Sequence, residues 1–196
     1  MEKTATSLPR PSGINHVAYR CRDADQTRWF YEDILGLPLV TAPVFEEVPG
    51  TGDRIPYMHL FFELGNGEMI AFFDQPGTAE ESKFARTHSF ERHLALEVAD
   101  EEVLLAWQRR INDAGVTCVG PIHHGFVRSI YMYDPNGLQV ELTCRTAGWD
   151  AEMSNPERTR ASMAGWRHRM RGMKERRFGS AAIDARSKRP PRTGRS

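Results

Sequence analysis

The sequence predicts an α+β fold. Two tandem βαβββ modules would form an open, cup-shaped mixed β-barrel with outer helices, followed by a C-terminal helical extension. Three observations carry this. The stretches "HVAYRCRD" (16–23) and "HLALEVAD" (93–100) both open on His, alternate apolar residues with period two, and end on Asp at the same offset. Each is followed by a helical pattern that stops at a glycine. The last hairpin of each half turns on Asn-Gly, a strong hairpin signal.

The first module spans about 13–77. Its opening strand leads to Asp23, placed to cap a helix, with Gln26 three residues later as the other half of a capping box. The helix "ADQTRWFYEDILG" ends at Gly36. Three β segments follow: "LPLVTAPVF", "IPYMHLFFEL" and "GEMIAFFD", the last two joined through Asn66-Gly67. The second module spans about 90–144. Asp100 caps "EEVLLAWQRRINDAG", which ends at Gly115, and "VTCVGPI", "VRSIYMYD" and "LQVELT" follow, turning on Asn136-Gly137. Residues 78–90 link the halves, and 13–144 form one paired domain. If the two sheets curl together, the first and last strand of each module line the cup.

At 40% hydrophobic residues, the 196-residue chain has enough apolar material for a sizeable core. No long uncharged apolar run reads as a membrane span, and the N-terminus lacks an apolar signal core. Three cysteines without metal spacing read as reduced thiols of a cytoplasmic protein. The net charge of zero hides an asymmetry. From Thr146 onward there are 13 Lys and Arg against 5 Asp and Glu, while the preceding residues carry 13 against 21. Residues 145–178 read as a basic amphipathic helical extension, with Asn155-Pro156 as its start and Met163, Trp166, Met170 and Met173 at helical spacing. It is expected to pack on the acidic body or on another subunit; a lid over the cup, a membrane surface or nucleic acid are the other readings. Residues 179–196 read as a disordered tail.

Three polar residues stand at strand positions where apolar ones are the default: His16, His93 and Glu141. Singly, each reads as a solvent-facing residue. The repeat makes His16 and His93 equivalent, so a pseudo-twofold would converge them on one point beside the strand of Glu141. Two imidazoles and a carboxylate form the facial triad of non-haem Fe(II) sites. Aligning the two Asn-Gly turns sets Ala71 opposite Glu141, so the first half offers no fourth ligand. In "DPNG" (134–137), a three-residue loop would pair Asp134 with Leu138, and therefore Tyr131 with Glu141 on one face.

These residues resemble the vicinal oxygen chelate superfamily over roughly residues 13–144. Ile122-His123-His124, Ile130-Tyr131, Asp134-Pro135, Gly137 and Glu141 are similar to the signature of one-domain type I extradiol ring-cleavage dioxygenases. The resemblance implies that His16, His93 and Glu141 hold Fe(II), or Mn(II) as in some relatives, and that the partners are a catechol and O2. It implies aromatic hydrocarbon catabolism, with Tyr131 hydrogen-bonding a catechol oxygen and His124 supplying a proton beside the oxygen site. The product would be a semialdehyde or related acid. Small relatives place a proton-shuttling histidine where this chain has Glu68; His59, on the preceding strand, substitutes if it faces the cup. The expected assembly is a homo-oligomer, a dimer or larger, without nucleic acid. The alternatives are a glyoxalase-like isomerase, a fosfomycin-type thiol transferase, and a non-catalytic binding protein of the bleomycin-resistance kind.

Overall fold

The structure is a computed structural model that describes residues 8–180. The expectation of a disordered tail falls, from residue 181 on, outside the described residues. The chain divides into two compact units, 1–147 and 148–196.

The first unit contains both modules. In the first, β1 (His16–Cys21) is followed by α1 (Ala24–Arg28), then β2 (Leu39–Thr41), β3 (Val44–Phe45), β4 (Tyr57–Glu63) and β5 (Met69–Asp74). In the second, β6 (His93–Glu97) and α2 (Glu101–Asp113) precede β7 (Val119–His123), β8 (Val127–Tyr133) and β9 (Gln139–Arg145). Each module has one sheet, in the order β1-β5-β4-β2 with β3 also on β4, and β6-β9-β8-β7. β1 runs parallel to β5 and β6 parallel to β9; the other pairs are antiparallel. This is the expected α+β pair of mixed sheets, consistent with the cup, but the two sheets are not closed onto one another.

The caps form as the sequence indicates. Asp23 accepts from the Gln26 amide at 2.8 Å, and Asp100 from the Val103 amide at 2.9 Å. The helix expected over 24–36 departs in its second half. From Trp29 to Ile34 it winds as a π-helix, and the Leu35 amide reaches back to the Phe30 carbonyl at 3.0 Å. The wider turn lets the adjacent aromatics Phe30 and Tyr31 both point inward with Ile34, and all three are buried.

One face of each sheet packs on the helices. Phe30, Tyr31, Phe62 and Phe72 of the first module share a continuous apolar core with Leu104, Ile111, Ile130 and Val140 of the second. The Tyr31 ring lies 4.8 Å from that of Phe72 and 5.5 Å from that of Phe62. A polar knot closes the seam between modules. Tyr31 donates to Asp134 at 3.1 Å, Asn136 Nδ2 to Thr27 at 3.2 Å, and the Arg22 amide to Asn136 Oδ1 at 2.8 Å. Asp134 is 4% exposed, and burial raises its pKa despite these donors.

In the second unit, α3 (Trp149–Met153) precedes α4 (Pro156–Phe178). Asn155 caps α4 by accepting from the Arg158 amide at 2.9 Å, with Pro156 in the first turn. No residue of α4 is buried, and Met163, Trp166 and Met173 stay exposed. Among the described residues, no helix is long and apolar enough to cross a membrane.

Candidate functional site

Two hairpins set the geometry. The Asp134 amide donates to the Leu138 carbonyl at 3.0 Å, closing a three-residue loop, and Tyr131 pairs with Glu141. The first module repeats this: the Leu64 amide donates to the Glu68 carbonyl at 2.8 Å, and Phe61 pairs with Ala71. Ala71 is therefore the structural counterpart of Glu141, and Phe61 of Tyr131. Because side chains alternate along a strand, these residues lie on the sheet face away from the helices.

On the second module this face gathers four of the expected site residues. His93 Nε2 stands 3.7 Å from Glu141 Oε2. His124, held in the loop after β7 by the hydrogen bond its backbone amide donates to the Val127 carbonyl, places Nε2 2.8 Å from the Tyr131 hydroxyl. Together they line a cleft of about 380 Å³ with Phe90 and Gln139. Glu141 is 8% exposed, whereas His93 and His124 are open to solvent. Burial raises the Tyr131 pKa and the Glu141 charge raises it further, so the phenol keeps its proton at neutral pH. His123 turns aside and accepts from the Gly125 amide at 3.0 Å, leaving His124 as the member of the pair that meets Tyr131.

The tautomers matter. His93 Nδ1 lies 2.8 Å from the Ser89 carbonyl oxygen, which can only accept. That nitrogen therefore carries a proton, and in the neutral ring Nε2 presents a lone pair toward the Glu141 carboxylate. Two acceptors then face each other unless a proton or a cation lies between them. His16 is arranged the same way: Nδ1 lies 2.8 Å from Asn15 Oδ1, and Nε2 is left as an acceptor. Sequence reasoning singles out neither Asn15 nor Ser89. Asn15 directly precedes its histidine, a signal that was readable; Ser89 acts through a backbone carbonyl, which leaves no trace in residue type.

Within one chain His16 does not join His93 and Glu141. Its ring meets His59 at 5.9 Å and Phe61 at 5.5 Å on the first module's sheet. Among the described residues no three His, Cys, Asp or Glu side chains are grouped to hold a metal ion. The physical reason is the topology: β1 and β6 are edge strands of separate sheets and do not pair. His59 does face the same way as His16. It stacks on Phe73 at 3.8 Å, and its Nε2 is buried without a hydrogen-bond partner. Burial, then the neighbouring His16, lowers its pKa, keeping the ring neutral. Glu68 is committed elsewhere, accepting from the Ile14 amide at 3.0 Å at the start of the first module.

Solved structures with this architecture include a glyoxalase/dioxygenase from Nostoc punctiforme, 24% identical, with a TM-score of 0.53, covering 73% of this chain and 99% of that one. A glyoxylase/bleomycin resistance protein/dioxygenase domain from Frankia sp. EAN1pec is 18% identical, with a TM-score of 0.55 and coverage of 70% and 100%. The genomically encoded fosfomycin resistance protein FosX from Listeria monocytogenes is 25% identical, with a TM-score of 0.51 and coverage of 70% and 97%. Residues 13–142 match the family model, and the chain belongs to the Glyoxalase/Bleomycin resistance protein/Dioxygenase superfamily.

Proposed function

We propose that this chain is an extradiol dioxygenase, dependent on Fe(II) or in its place Mn(II), that opens a catechol ring with O2 beside the two hydroxyls. The observation that carries the reading is the His124–Tyr131 pair, bonded at 2.8 Å and set next to Glu141 and His93. The donor set suits such a metal: a carboxylate and two neutral imidazoles, each oriented through Nδ1 by an oxygen acceptor. His93, Glu141 and His16 would hold the divalent iron, which would supply Lewis acidity and one-electron chemistry for the diol and oxygen.

The chain's own residues supply the rest. Tyr131, protonated at neutral pH, donates to a catechol oxygen. His124 passes or holds a proton at Nε2, the atom that faces the phenol. His59, kept neutral, is the base available on the His16 side. The reaction balances without another reagent: one ring C–C bond breaks, both oxygen atoms enter the product, and a hydroxy semialdehyde results.

Because one chain sets His16 apart from the other two ligands, the working unit in this reading is a homodimer. His16 of one copy completes the His93–Glu141 half-site of the other, as the unclosed sheets allow. The three buried, unpaired thiols suit a reducing compartment such as the cytoplasm. The test is anaerobic loading with Fe(II), then a panel of monocyclic and bicyclic catechols in air, following oxygen uptake and ring-opened products. Absence of turnover across the panel would overturn the reading. The likeness to FosX, a fosfomycin resistance protein, favours a second reading, modification of fosfomycin, in which the His124–Tyr131 bond has no chemical part. Consumption of fosfomycin with Mn(II), and no oxygen uptake, would select it.

A further inference from the structure

A second cavity, of about 570 Å³, adjoins the candidate cleft and shares Val119, Tyr131 and Gln139 with it. Its chemistry differs. Arg22 and Arg86 both stand in its wall. The one carboxylate there, Asp134, is buried and accepts from Tyr31, Asn136 and Leu138, so its charge is turned into the protein. The wall is therefore cationic toward the cavity.

The linker fixes this arrangement. It crosses the 135–137 turn so closely that a Cβ on Gly137 would lie 2.8 Å from the Ala85 carbonyl carbon. That crossing sets the Arg86 guanidinium over the Tyr133 ring, 5.0 Å from its centroid, and Tyr133 donates to the Thr87 carbonyl at 3.0 Å. Arg86 has no carboxylate partner among the described residues. Arg22 has an exposed one, Glu81 at 3.3 Å. Two buried polar atoms nearby lack any hydrogen-bond partner: Gln139 Oε1 and Thr87 Oγ1. Buried polar atoms in folded proteins are nearly always satisfied, so an orphaned amide at the junction of two cavities points to a ligand group. The Gln139 amide offers an acceptor or, flipped, a donor. It stands two residues before Glu141 on the same face, about 7 Å along the strand, roughly the span of a substituted ring.

We propose that this cavity receives an anionic substituent of the substrate. The aromatic diol lies against His93, Glu141 and Tyr131, and a carboxylate on the ring or a short side chain reaches past Gln139 to Arg86, with Arg22 as the second cation. The diol end rests on the dioxygenase reading; the anion site does not.

The test is anaerobic equilibrium binding to the full-length, Fe(II)-loaded protein. Four probes are used: a catechol bearing an acetate side chain, its methyl ester, unsubstituted catechol, and phenylacetate, which has the acid without the diol. The acid should bind at least about tenfold more tightly than its ester, as a charge-assisted Arg contact gives. Added salt should weaken the acid alone. Arg86→Gln, which keeps much of the packing on Tyr133, should erase the difference and leave ester and catechol unchanged; Gln139→Leu should reduce it. Equal binding of acid and ester, or an Arg86→Gln variant that weakens all probes alike, overturns the proposal. Arg86-dependent binding of phenylacetate with no catechol turnover sustains the anion site and removes the dioxygenase reading. Turnover of catechols with no preference for the acid does the reverse.

Discussion

Two glycines at equivalent places give the structure an internal control. Gly67 and Gly137 each hold the third position of a three-residue hairpin loop, with φ of +83° and +72°. Alanine at either position pays the left-handed penalty of about 1 kcal/mol. Their surroundings differ. Nothing lies within 4 Å of a Cβ on Gly67, whereas one on Gly137 would meet Ala85 backbone carbon and oxygen at 2.8 Å and the Phe84 carbonyl oxygen closer still. Those neighbours are backbone and cannot swing away, so the linker must shift; overpacking of this kind costs about 1–3 kcal/mol more. Gly67→Ala should then lower stability by about 1 kcal/mol and Gly137→Ala by about 3, which for a chain of this size is a Tm loss of roughly 3 °C against 10 °C. Calorimetry or urea titration measures both. A second readout follows from what the linker carries, since Ser89 holds His93 Nδ1 at 2.8 Å. Gly137→Ala should weaken metal binding by about 10-fold or more, as losses of such supporting contacts do, and Gly67→Ala should not. Equal Tm losses in the two variants would refute the clamp, and unchanged metal affinity in Gly137→Ala would refute its link to the site.

Tyr131→Phe removes the hydroxyl that meets His124. Because His124 is exposed, stability should change by no more than about 1 kcal/mol, while ring cleavage should fall by about 10²–10³ in kcat, the effect of losing one aimed donor; steady-state kinetics on the best catechol checks this. His59→Phe keeps the stack on Phe73 and deletes the buried Nε2 that has no partner. It should raise stability by about 1 kcal/mol and, if His59 is the base, cut kcat by about 10² or more. Its pH signature has a definite sign. A folded-state pKa below the unfolded value means that the neutral ring stabilises the fold above about pH 6.5 and that this is lost as pH falls through the folded pKa. Urea midpoints should therefore fall on acidification in the parent chain more than in His59→Phe. Finally, His16→Ala and His93→Ala should each be inactive alone, yet mixing and re-equilibrating them should restore about a quarter of the parental sites, because a mixed C2 dimer holds one intact set. No recovery on mixing, with dimers present by sedimentation, would exclude the shared site.

Much of the candidate site's strand register was legible because strand chemistry is local. Period two, a loop length and an Asn-Gly turn are enough to put Tyr131 across from Glu141, and the observed register agrees. The same arithmetic puts Ala71 opposite Glu141 in the repeat. The π-wound turn was not legible, because it answers to how Phe30 and Tyr31 pack on strands distant in sequence. Asp134 reads as a turn former, and it is one, but its bond to Tyr31, 103 residues away, makes it the pin between modules as well. The separation of His16 from His93 lay beyond the sequence for a deeper reason. A repeat states that two modules are equivalent; it does not state whether the faces that meet belong to the same copy.

The register offers an argument on that point. Paired positions of the two modules differ in kind: Phe61 answers Tyr131, Ala71 answers Glu141, His59 answers Ser129, Phe73 answers Thr143, and Met69 answers Gln139. One face is aromatic and apolar, with two imidazoles. The other holds the carboxylate, the phenol, the Ser129–Thr143 hydrogen bond at 2.8 Å, and the imidazoles of His93 and His124. Neither face has the full ligand set, so two first-module faces or two second-module faces placed together would each lack one kind of ligand or an apolar wall. A face of each kind supplies both. In the proposed dimer, a chain that carries one of each, on sheets that are not closed onto one another, would reach that combination by exchange with a twin. Two copies related by a twofold would then form two identical sites at once, with no face left over.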